Sequence, residues 1–131
     1  MSEISPLQPK ILHPDTIKPF KGVCGRVWQF INPETAPTKA LSTALITVEP
    51  RERSTPHYHR VTEEIYFIID GEGVLRTDNQ EYPIKQDSIA YIPPNVPHSL
   101  INTGKKTLKL LVIDHPPYNR ADTIMQESAG E

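Results

Sequence analysis

Fourteen prolines against six glycines, spread from Pro6 to Pro117, constrain this 131-residue chain more than any other feature. Proline locks φ, carries no N–H and is excluded from helix interiors and central strands. Prolines at these intervals bound short segments, which favours an all-β domain with many turns. The segments between them read as strands: 23–31 (VCGRVWQFI), 41–48 (LSTALITV), 64–69 (EIYFII), 73–77, 81–85, 88–92, 98–101 and 107–114 (TLKLLVID). They stop at turn signals such as Asn32-Pro33, Pro50, Asp70-Gly71, Pro93-Pro94-Asn95 and Asn102-Thr103-Gly104, and Asp78-Asn79-Gln80 reads as a hairpin turn. Such spacing, without a long helix, indicates a sandwich or barrel of antiparallel strands. By length this is one domain. It is expected to comprise a proline-rich arm over 1–19, a barrel over 20–115 and a tail over 116–131, in which Asn119 can cap a single helical turn.

Charge and cysteine content remove several function classes. With 14 Lys+Arg against 16 Asp+Glu the formal charge is -2, and no basic run or Gly-rich phosphate loop is present. Nucleic-acid and nucleotide partners are therefore not expected. The longest apolar runs, IYFII and LLVI, are too short to span a bilayer, and MSEISPLQPK does not read as a signal peptide. The single cysteine, Cys24, cannot form an internal disulfide, so a reduced cytoplasmic setting is expected, with Cys24 as a small buried apolar residue.

Chemistry concentrates in two stretches, PHYHRVTEEIYFIIDGEG and YIPPNVPHSLINTG. Side chains alternate along a strand, so His57 and His59 share a face and Tyr58 looks away. Glu64 opens the next strand with Tyr66 and Ile68 on its face, while Glu63 points the other way. His98 begins a later strand after a proline-stiffened turn. A lone His-x-His is a weak signal. A third histidine and a carboxylate at suitable offsets suggest that His57, His59, Glu64 and His98 converge on one divalent metal. Imidazole suits Mn, Fe, Co, Ni, Cu and Zn, and the carboxylate tilts the choice toward Fe or Mn. Four such ligands on one side of an octahedral ion leave positions open for a small molecule.

The spacing His57-x-His59-x4-Glu64-x6-Gly71, followed by Pro93-x-Asn95-x2-His98-x3-Asn102, resembles the two motifs of the cupin superfamily. The resemblance spans about 51–102 and, with 15 residues between the motifs, is closest to compact single-domain microbial cupins. It implies a double-stranded β-helix, or jelly-roll barrel, with the metal inside and the same four residues as its ligands. Three positions depart from the pattern: Arg51, Asp87 and Asn95 stand where glycine is usual. Asn and Asp tolerate a left-handed backbone, so Arg51 is the largest departure.

Tyr66, two residues beyond Glu64 on the same face, is the candidate catalytic residue, able to donate a proton to a metal-held molecule or orient it. Arg26, Arg51 and Arg53 could receive a carboxylate but read first as surface charges, and His13 and His115 as surface or capping residues. Trp28, Phe30, Leu45 and Thr47 read as barrel filling or cavity wall. The second apolar face of 107–114, with Phe67 and Ile69, suggests an outer surface covered by another sheet, hence a homodimer. The resemblance implies a metal-dependent enzyme acting on a small organic molecule, with a dioxygenase-type oxidoreductase as first expectation. Isomerase or lyase chemistry, a non-catalytic module binding a sugar or carboxylic acid, and a structural zinc are the alternatives.

Overall fold

The computed structural model describes residues 8–126, so Pro6 in the arm and the end of the tail lie outside the described residues. In chain order the strands are β1 (Phe20–Gly22), β2 (Gly25–Gln29), β3 (Ser42–Val48), β4 (His57–His59), β5 (Glu63–Asp70) and β6 (Glu72–Arg76). Then come β7 (Glu81–Lys85), β8 (Ile89–Ile92), β9 (Ser99–Ile101), β10 (Leu108–His115) and β11 (Thr123–Met125). The only helical pieces among the described residues are two 3-10 turns, Pro14–Thr16 and Arg120–Asp122. One antiparallel sheet runs β1-β2-β3-β10-β5-β8, a second runs β7-β6-β9, and β4 pairs with β11. An isolated bridge between His57 and His98 joins β4 to the segment leading into β9. Sheet neighbours such as β3 and β10 come from distant parts of the chain, as a jelly-roll double-stranded β-helix requires.

Alternation places the core. On β10, Leu108, Leu110, Val112 and Asp114 are buried, whereas Lys109, Leu111 and Ile113 are half-buried. The inward set packs with Ile46, Val48, Tyr66, Ile68, Leu75, Ile84, Ile92 and Leu100 into one core. Burying one such aliphatic side chain contributes about 1.5–3 kcal/mol. The apolar character of β5 on both faces predicts burial on both, but Ile65, Phe67 and Ile69 are only half-buried, because the second sheet covers one face.

Three departures from the sequence reading have local causes. The single strand expected over 23–31 is broken: β1 and β2 form a hairpin in which Gly22 pairs with Gly25. Gly25 has φ +113, and a Cβ there would collide with the Thr47 carbonyl, so the chain can turn and still lie against β3. That turn also sets which face of β2 looks inward. Val27 and Gln29 line the cavity, and Trp28 pairs across the sheet with Leu45 on the opposite face. Trp28, Leu45 and Thr47 are therefore not cavity wall, although Leu45 is buried as filling, and Phe30 shares the face of Trp28 by alternation. In the tail, Asn119 does cap the turn Arg120–Asp122, its side chain accepting from the Ala121 N–H, but the chain then forms the unforeseen strand β11.

The three positions that depart from glycine keep the left-handed backbone glycine would have favoured: Arg51 has φ 71, Asp87 φ 74 and Asn95 φ 67. The loop at Arg51 thus holds its turn despite a Cβ that costs roughly 1–2 kcal/mol in this region. Asn102 closes the turn after β9: its amide donates to the Val48 and Lys106 carbonyls while its oxygen accepts from the Gly104 N–H. No helix among the described residues is long and apolar enough to cross a membrane.

Candidate metal centre

Three segments bring the centre together: β4, β5 and the residue that leads into β9. On β4, His57 and His59 are buried and Tyr58 between them is not. His57 and His98 exchange backbone hydrogen bonds of 3.1 and 2.9 Å, which sets their rings side by side with centroids 4.5 Å apart. Glu64 is the second residue of β5 and points inward with Tyr66 and Ile68. Its Oε1 lies 3.3 Å from His59 Nε2 and 3.0 Å from His98 Nε2. One ligand atom from each of His57, His59, Glu64 and His98 lies within 4.8 Å of those of the other three. Glu63 faces outward, where it accepts a 2.9 Å hydrogen bond from Tyr91 and lies 3.4 Å from His115.

The outer nitrogens of the rings are already engaged. His57 Nδ1 donates to the Thr55 carbonyl and His98 Nδ1 to the Val96 carbonyl, each at 2.8 Å. His59 Nδ1 lies 3.4 Å from the Thr123 hydroxyl on β11. A carbonyl acceptor requires N–H at Nδ1, so the Nε2 lone pairs of His57 and His98 are directed inward, the tautomer a metal needs. Three atoms facing the centre, His59 Nε2, His98 Nε2 and Glu64 Oε1, are buried without a hydrogen-bond partner, as is Asp114 Oδ1 beside them. Orphaned buried polar atoms are costly, and a single divalent cation among them would satisfy all three. With no sulfur in the donor set, the residues fit a first-row ion of the Mn-to-Zn series.

Electrostatics agree with that fit. Burial, reinforced by the neighbouring His98, lowers the His57 pKa to about 4, so the ring is neutral. Burial opposes charge on both His59 and Glu64, but the attraction between the imidazole and the carboxylate 3.3 Å away wins: the His59 pKa is raised and the Glu64 pKa lowered. Asp114 is the group that sequence reasoning missed. It is buried directly across from Glu64, and burial, then the neighbouring Glu64 carboxylate, raises its pKa. A carboxyl group that keeps its proton can donate to a carboxylate that has lost its own. The signal was present in TLKLLVID, where Asp114 continues the inward set Leu108, Leu110, Val112.

The centre opens onto a cavity of about 270 Å³ between the large sheet and the β4–β11 pair, reached by His57, His59, Glu64, Tyr66 and Asp114. Tyr66 is buried with its ring centroid 6.1 Å from that of His98, and burial, then the Glu64 charge, raises its pKa well above the usual value. Cys24 is buried as expected, and burial, then Glu64, pushes its thiol up to about 12. Arg26, Arg51 and Arg53 are exposed and outside the cavity wall, and His115 is on the surface beside Glu63. His13 caps the first 3-10 turn by accepting from the Asp15 N–H. Thr123, which no sequence pattern marked, sits at the histidine strand because β11 pairs His59 with it.

Comparison with known proteins places this site in a lineage. A profile of the cupin domain matches residues 44–114. An uncharacterized protein of Methanocaldococcus jannaschii is 33% identical over 114 residues, covering 86% of this chain and 91% of that one. An oxalate-binding protein of Thermotoga maritima is 29% identical over 102 residues, covering 76% and 84%. Among solved structures, the polyketide cyclase RemF of Streptomyces resistomycificus superposes with a TM-score of 0.77 at 16% identity, covering 92% of this chain and 87% of that one, a likeness of fold. With that profile matched from β3 to β10, and the double-stranded β-helix observed, this chain belongs to the cupin family.

Proposed function

We propose that this cupin is a metal-dependent enzyme of the dioxygenase-type oxidoreductase class, acting on a small organic molecule that enters the cavity and chelates the metal. The observation that carries the reading is the convergence of buried, unpartnered His59 Nε2, His98 Nε2 and Glu64 Oε1 beside the cavity. His57, His59, Glu64 and His98 would hold the ion, with Fe or Mn favoured by the carboxylate over Ni, Co, Cu or Zn. When bound, the ion supplies Lewis acidity and, for Fe or Mn, a redox couple. The chain's own residues do the rest. Carbonyls at Thr55 and Val96 hold two rings in the ligating tautomer, and Asp114 braces Glu64. Tyr66 keeps its phenolic proton and can donate it in a hydrogen bond to an oxygen of the bound molecule.

Elemental analysis of the purified protein, with oxygen uptake measured on candidate substrates, tests this reading. Fe or Mn near one per chain in the wild type, lost in His57→Ala, with substrate-dependent oxygen consumption, is the expected result. Full metal retention in His57→Ala and Glu64→Ala would sink the four-ligand assignment. The runner-up is a non-catalytic small-molecule-binding cupin, which the similarity to an oxalate-binding protein favours; metal-dependent binding without turnover of any ligand would select it.

We also propose a homodimer in a reduced cytoplasmic setting. The outer face of the large sheet presents Leu111 paired with Phe67, and Phe67 with Ile89, which is 69% exposed. Such a row is suited to a second copy. A clean monomer mass by light scattering would refute the dimer. The single unpaired Cys24 supports the compartment.

A further inference from the structure

The charge distribution of the cavity wall separates two kinds of ligand. Val23, Val27, Ala44, Ile46 and Val112 make most of it apolar. Polar contacts come from Gln29, from Tyr66 and from Ser42, whose oxygen already accepts from the Tyr118 N–H at 2.8 Å and so leaves its own proton free to donate. The ionisable carboxyl groups along the wall are Glu64 and Asp114, with Glu34 at the exposed rim. Among the described residues no lysine or arginine lines it. Lys21, near the hairpin, pairs instead with Glu52 at 3.6 Å on the surface, and Arg26 lies on the face of β2 opposite Val27 and is exposed.

An anionic group taken into this wall away from the histidines would lose its hydration and meet apolar side chains and neutral polar groups, with no lysine or arginine to pair with. Only the end of a ligand that sits on the metal can carry negative charge at low cost. The volume, about 270 Å³, is at the small end for organic ligands and suits a molecule with one ring or a short branched body.

We propose that the ligand is uncharged wherever it points away from the metal. It is a compact, largely apolar molecule presenting two adjacent oxygens, as in a catechol, vicinal diol or hydroxy-ketone, and not a phosphorylated sugar or an acid whose carboxylate lies in the wall. The chelating end of this inference rests on the metal reading above, whereas the wall preference holds without it.

Paired probes of equal shape test the two parts separately. On protein stripped of metal with a chelator, p-cresol is compared with 4-hydroxybenzoate by methyl NMR of Ile46 and Val112. On zinc-loaded protein, 4-methylcatechol is compared with 3,4-dihydroxybenzoate by calorimetry. In each pair the neutral probe is expected to bind at least about tenfold more tightly, and Val27→Lys is expected to narrow or reverse the preference. Equal or tighter binding of either carboxylate probe by the wild type overturns the proposal, as does the absence of methyl shifts with p-cresol. If zinc fails to load, the metal reading falls, and the cresol pair still decides the wall.

Discussion

The two faces of the β3-β10-β5 sheet are made of alternate residues of the same strands, yet they have opposite characters. Adjacent Glu63 and Glu64 show it most clearly. Glu64, facing in, is buried against two histidines and Asp114, whereas Glu63, facing out, shares an exposed cluster with Tyr91 and His115. Leu110 and Leu111 differ in the same way, the first fully buried and the second half-buried. Residue type is thus nearly irrelevant to role here. Strand parity decides whether a carboxylate becomes part of a site or part of a surface.

Substitutions paired across the sheet can break this comparison. The largest effect is expected from Glu64→Gln, which should weaken metal retention more than about a hundredfold, beyond the usual cost of losing a supporting group. Glu63→Gln should leave it unchanged, as elemental analysis after dialysis would show. Equal losses in both would mean that the parity assignment is wrong. Next, Leu110→Ala should destabilise by about 3 kcal/mol in urea denaturation, within the range for a buried leucine. Leu111→Ala should cost about 1 kcal/mol within the chain and shift the protein toward monomer mass.

Asp114 sharpens the inner side. Asp114→Leu removes the donor to Glu64 and should lower metal affinity about tenfold. Asp114→Asn keeps an N–H in its place and should stay within about threefold in a competitive metal titration, on the same reasoning about supporting groups. Similar losses in both variants would leave Asp114 a packing residue rather than a brace for Glu64.

The smallest effect belongs to neither face but to the clasp over the histidine strand. Asp122 accepts from the N–H groups of Arg60, Val61 and Thr62. Burial opposes its charge, but those three backbone donors prevail and lower its pKa. Its stabilisation is therefore complete above the ordinary aspartate value of about 3.9 and lost as pH falls below it, toward the lowered folded value. Asp122→Asn should cost about 0.5–1 kcal/mol at pH 7, as for other exposed caps, and the difference from wild type should shrink in thermal melts below about pH 4.

Much of this was legible in the residues because it depends on local rules. Proline spacing excluded long helices, and turn chemistry marked the 78–80 hairpin, whose Thr77 N–H bonds the Gln80 carbonyl. Two-residue alternation separated His57 and His59 from Tyr58, and Glu64 from Glu63. Asp114 was missed although alternation marked it, since only the pairing of β10 with β5 reveals that its neighbour is Glu64, a candidate metal ligand. The break at Gly25 escaped for a related reason. The need for glycine there arises from the Thr47 carbonyl on the next strand.

Strand content, the inward direction of the candidate ligand side chains and the residue types able to bind a metal all follow from the order of residues along the chain, because backbone sterics and side-chain alternation act over two to four positions. Whether the four candidate ligands meet, that Arg51 holds a left-handed turn, that β11 closes over β4, and that no lysine or arginine among the described residues lines the cavity were decided only by tertiary structure. Those features depend on contacts between segments tens of residues apart, and the pairing of the sheets selects them together.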